Sequence, residues 1–171
     1  MKRMMFAAIA CASLVLGTGS AFAGNGNTTV DVFPVSFTMS SDTCSNLPPG
    51  TTVDGSGTGK SITTVTTDHG GVTTVANVTV DIGTATDQAH NHYVFFYFNS
   101  FKVSNTLAHP DTFTGVMFDR FTLTGHGPAN LRNGFEANIT TDLETFFAFD
   151  PISSFGDPLD FATGTARCDP L

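Results

Sequence analysis

The chain has 171 residues, of which 15 are acidic and 7 basic, for a net charge of −8. That balance opposes nucleic-acid phosphates and anionic headgroups, so nucleic acid is excluded as a partner class. The length fits one domain, large enough to bury a core.

Lys2 and Arg3 precede an uncharged apolar run, and Ala21-Phe22-Ala23 offers small residues at a cleavage position. This predicts a secretory signal peptide over residues 1–23; the run is too short and wrongly flanked for a membrane span. The expected mature chain, 24–171, is secreted to an extracellular or periplasmic space. Loss of Lys2 and Arg3 leaves five basic residues against 15 acidic ones. Cys11 leaves as well, and the remaining pair, Cys44 and Cys168, is expected to form a disulfide in an oxidising compartment.

The mature chain is dominated by alternation of period two, the mark of β-strands. Phe33, Val35, Phe37 and Met39 alternate in the first run. A Pro48-Pro49 loop follows. Asp54–Ser61 reads DGSGTGKS and carries the Gly-Lys-Ser of a phosphate-binding loop. Asp54 occupies the first glycine position, however, and a β-rich run rather than a helix follows, so nucleotide binding is rejected. Gly55, Gly57 and Gly59 instead share one face of a strand, where they allow sharp coiling or close packing. In the next run Val72, Ala76, Val78, Val80 and Ile82 share one face and Asn77, Thr79 and Asp81 the other. His92–Phe101 is apolar on both faces, with Val94, Phe96 and Phe98 opposite Tyr93, Phe95, Tyr97 and Phe101. Phe121 and Leu123 alternate with polar residues, and a further pattern runs from Phe135 with a bend or break near Asp142. A last strand is expected at about Leu159–Cys168. Turn signals fall at 68–71, 87–91, 109–111 and 125–128. The fold class expected is all-β: a single-domain antiparallel meander of six to eight strands, closing as a barrel in preference to a sandwich because closure removes exposed edges.

All five histidines lie in or beside turns. In a meander the 87–91 and 125–134 connections share one end, which collects His90, His92 and His126; two imidazoles at alternate positions form a metal-type spacing. The reading set against it is that of ordinary polar turn residues. Tyr93, Phe95, Tyr97, Phe96 and Phe98 are candidates to line a pocket for an apolar ligand. No nucleophile elbow or metalloprotease motif is present, and no cofactor is expected. A binding or structural role is therefore expected over an enzymatic one.

Gly83-Thr-Ala-Thr-Asp87, Gly127-Pro-Ala-Asn130, Gly156-Asp-Pro158 and Cys168-Asp-Pro170 together resemble turn-like stretches of small exported bacterial proteins. The resemblance spans roughly the last ninety residues. It implies an exported β-domain and supplies no catalytic residues. Strand order and glycine use are similar in architecture to lipocalin-like and dirigent-like (allene oxide cyclase-like) barrels. Three functions follow as expectations: capture of a small apolar ligand in the barrel, a dirigent-like enzyme using Asp81, Asp119, Arg120 or Arg132, or association at a surface. A buried acid or arginine facing inward favours the second. A filled interior favours the third.

Overall fold

Seven runs of alternating residues become seven strands in the computed structural model, which describes residues 26–42, 44 and 46–156. They are β1 (Asn27–Ser40), β2 (Thr52–Thr67), β3 (Thr73–Asp87), β4 (His92–Thr106), β5 (His109–Gly125), β6 (Leu131–Thr141) and β7 (Phe146–Gly156). All belong to one antiparallel sheet in the order β1 to β7, each strand paired with its neighbours in sequence. No helix is present among the described residues. The expected signal peptide, the strand at Leu159–Cys168 and Cys168 itself lie outside the described residues.

The register places odd-numbered residues of β1 to β6 on one face. One cross-strand row runs Val35, Gly57, Gly83, Phe95, Leu123, and the next runs Phe33, Gly59, Asp81, Tyr97, Phe121, Asn133. This face is concave. β1 and β5 are four strands apart, about 19 Å in a flat sheet, yet the Phe37 and Phe121 rings lie 6.1 Å apart. Phe37 also meets Phe95 edge-on at 5.0 Å. The sheet is thus curled over its own odd face, but among the described residues it is not closed, since β1 is joined only to β2 and β7 only to β6.

The glycines of β2 make the curl possible. A Cβ at Gly55 would be driven into the Phe37 ring, and one at Gly57 into the main-chain carbonyl of Ile82. β2 is therefore the thin part of the wall, over which the β1 aromatics lean inward. Two apolar clusters fill the concave side. One joins Phe37, Met39, Val53, Tyr93, Phe95, Phe121 and Leu123 with Cys44. The other joins Val75, Val103, Phe113, Met117, Phe135 and Ile139.

The turns expected at 68–71, 87–91 and 125–128 occur, and β6 breaks from β7 across Asp142–Thr145. The turn expected at His109–Asp111 is displaced. Thr106 pairs directly with His109, so the connection is Leu107-Ala108 and His109 begins β5. Asn105 supplies what the local residues do not: its side chain accepts from the Thr73 amide (2.7 Å) and donates to the Pro110 carbonyl (2.8 Å).

Candidate functional site

Between the two apolar clusters the concave face carries a polar band. Asn77 donates to Ser61 and Thr63, both at 2.8 Å, and the Thr79 hydroxyl shares its one proton between Ser61 Oγ and the side-chain Oδ1 of Asn77. Tyr97 and Asn99 both donate to Oδ2 of Asp119, at 2.7 and 2.9 Å. Asp119 and Asn133 are fully buried, and Asp81 is 8% exposed. Oδ1 of Asp81 and both side-chain amide atoms of Asn133 lack hydrogen-bond partners among the described residues. Burial alone lifts the Asp81 carboxyl from the ordinary 3.8 to about 6, because the charged form loses its hydration. Of the four residues expected to mark an inward-facing charge, Asp81 and Asp119 face inward. Arg120 and Arg132 occupy even positions and face out.

The five aromatic residues expected to line one pocket divide between the faces. Tyr93 and Phe95 are buried in the concave core and Tyr97 is half-buried beside them. Phe96 and Phe98 point to the convex side, where Phe98, Phe118 and Phe155 form a chain of rings spaced 5.9 Å. On the concave side the Phe37 ring occupies the space over Phe95 that a ligand would need.

His90, His92 and His126 are exposed at one end of the sheet. No group of three or more His, Cys, Asp or Glu side chains among the described residues is arranged to hold a metal. The neighbouring Asp87 has a structural task. It accepts from the amides of Ala89 and Asn91, from the Asn91 side chain, and from the Tyr93 hydroxyl at 2.9 Å. These donors, Asn91 foremost, hold its carboxyl below the usual range. The Tyr93 hydroxyl in turn accepts from the Ala129 amide at 3.2 Å, joining the β3–β4 turn to the β5–β6 loop. Burial pushes its own ionisation upward.

The convex face is the unexpected feature. Val30, Val32, Ile62, Val78, Ile82, Val94, Phe96 and Val116 all lie there, with exposures from 37% to 68%. They are spread over five adjacent strands, and register joins several of them: Val30, Ile62 and Val78 form one row, and Ile82 and Phe96 pair in another. The four basic residues between 26 and 156, Lys60, Lys102, Arg120 and Arg132, occupy even positions on the same face. Alternation revealed these apolar sets but not which way they point. No helix among the described residues is long and apolar enough to cross a membrane. No protein family, curated protein or solved structure matches the chain.

Proposed function

We propose that the protein is an exported β-barrel module that works by binding an apolar partner on its convex face, with its interior serving as core. The carrying observation is the set of exposed Val, Ile and Phe spread over β1 to β5, joined by register in the row Val30–Ile62–Val78 and in the pair Ile82–Phe96. Isolated exposed hydrophobics are ordinary on soluble proteins, whereas contiguous ones mark interaction surfaces. The Phe37–Phe95–Phe121 packing favours this over capture of a ligand inside. In this reading an eighth strand at about Leu159–Cys168 closes the barrel, and a Cys44–Cys168 disulfide fastens it. The strong curl of the sheet and the burial of Cys44 support that closure.

The test is a titration with the neutral fluorescent probe Nile red. Saturable binding is expected, weakened severalfold by the paired substitutions Ile82→Thr and Phe96→Thr, which preserve strand propensity. Unchanged binding in that variant, with the fold intact by circular dichroism, overturns the proposal.

A second reading has one observation in its favour, the buried Asp81 with an unpartnered oxygen. It makes the concave band a dirigent-like site in which Asp81 and Asp119 guide a reactive intermediate. Such a site must be reachable from solvent. Failure of a carbodiimide and amine to modify Asp81 in the folded protein at pH 5, mapped by mass spectrometry, removes it.

A further inference from the structure

We infer that the convex face holds a site for an anionic amphiphile: one alkyl or aryl chain ending in a carboxylate or similar group, with the chain in a groove across β3, β4 and β5 and the charge at Lys102. The inference rests on the binding role proposed for this face and adds the chemistry of its ligand. The groove has a volume of about 300 Å³, and its convex-side lining is Ala76, Val78, Ser100, Lys102, Val116 and Phe118. Its origin is the register. Val78, Ser100 and Phe118 form one cross-strand row, and Ala76, Lys102 and Val116 form the next. Ala76 and Ser100 are the small members, so a floor opens between the walls built by Val78, Val116 and Phe118. Val78 and Val116 are each 40% exposed, leaving apolar surface for a chain to cover.

Charge sets the direction in which the chain lies. Lys102 is exposed at the rim, and its partners across both neighbouring strands, Ala76 and Val116, are uncharged. At the opposite wall Glu136 pairs with Phe118. An anionic end is attracted to Lys102 and repelled from Glu136. Along the described strands the convex face carries Lys60, Lys102, Arg120 and Arg132 against Asp54, Glu136 and Asp150, so it does not share the overall acidity of the chain. A lysine fits the rim for a second reason: its methylene stem lies along apolar surface while the ammonium stays in water.

The experiment is calorimetric titration of the full mature protein with laurate, below its micelle-forming concentration, and with 1-dodecanol. Laurate is expected to bind about fivefold more tightly, the equivalent of about 1 kcal/mol for a solvent-exposed ion pair. Lys102→Gln should erase that difference while leaving dodecanol binding unchanged. Ser100→Phe, which fills the floor, should abolish binding of both. Equal affinities for the two compounds, or a Lys102→Gln variant that keeps the preference for laurate, overturns the anionic site yet leaves the apolar face standing. Laurate binding unaffected by Ser100→Phe also overturns it, by placing the ligand elsewhere. If neither compound binds and Nile red binding is also flat, the site and the functional reading beneath it both fall.

Discussion

Asp81 and Asp87 are six residues apart on one strand, both almost fully buried, and their environments push them in opposite directions. Asp87 sits where chain reversal aims two amides, an amide side chain and a phenol at its oxygens. Its folded pKa lies below 3.8, so its contribution to stability is present above pH 3.8 and is lost as pH falls through the folded value. Asp81 points into the concave core with an unpartnered oxygen and a folded pKa of about 6. The native state binds its proton more tightly than the unfolded chain does, so this carboxyl costs stability as pH rises from about 4 to 6. Asp81→Asn removes the titration and keeps the shape. Urea unfolding at pH 4, 5, 6 and 7 should show the variant gaining on the native chain across that window, by on the order of 2 kcal/mol at pH 7. A constant difference from pH 4 to 7 contradicts a buried, titrating Asp81. Neither behaviour is written in the residue type. The sequence sets Asp87 at a turn and Asp81 within a strand, but only the cross-strand neighbours, Gly59 and Tyr97 for Asp81, decide that it is buried with an unpartnered oxygen.

At the scale of the strands, alternation located the elements and left their orientation open. In β3 the even set Ala76, Val78, Val80 and Ile82 is the more apolar, and a strand read alone would bury it. The structure buries the odd side, Val75, Asp81 and Ala85. The reason is that register is shared: the odd sides of β1, β4 and β5 carry Phe37, Phe95 and Phe121, and β3 follows its neighbours at the cost of exposing Val78 and Ile82. The aromatic strand β4 was legible as apolar on both faces for the same reason; one face is core and the other is the candidate site. Gly57 belongs to this scale because its role is to let β2 lie close against β3. Gly57→Val forces a side chain into the Ile82 carbonyl and should cost about 3 kcal/mol or more, or prevent folding. Ser56→Val, one residue away on the exposed side, should stay within about 0.5 kcal/mol. Equal melting temperatures for the two variants contradict the packing assigned to β2. The Tyr93 hydroxyl is the counterpart at the sheet end. Tyr93→Phe leaves the ring in the core but removes one of the four donors to Asp87 and leaves the Ala129 amide without its acceptor, so thermal unfolding should report a loss of about 1–3 kcal/mol. A smaller loss means that water replaces the hydroxyl.

For the whole molecule the question is what holds a curled sheet with two ends in its curled form. Curling brings the β1 aromatics over β4 and β5, and that apolar contact favours the closed-up shape. Among the described residues no strand pairs with the outer sides of β1 and β7, and edges left unpaired invite association with other chains. A covalent tie between the β1–β2 loop and the C-terminal end opposes both unrolling and edge pairing. Cys44, the residue proposed for such a tie, is 1% exposed within the cluster that includes Phe37, Met39 and Leu47. A bond from Cys44 to Cys168 closes a loop of more than a hundred residues, for which loop-closure entropy alone gives about 4–5 kcal/mol, with native-state strain subtracting from it. The expected outcome is a mature mass two hydrogens below that of the reduced chain, and a melting temperature that falls by ten degrees or more on reduction. The reduced chain should also form oligomers that grow with concentration, because the edges of β1 and β7 are no longer held. Oligomers that form equally with the disulfide intact would implicate the convex face instead, and Ile82→Thr with Phe96→Thr separates the two: it suppresses association through the face and leaves association through the edges unchanged.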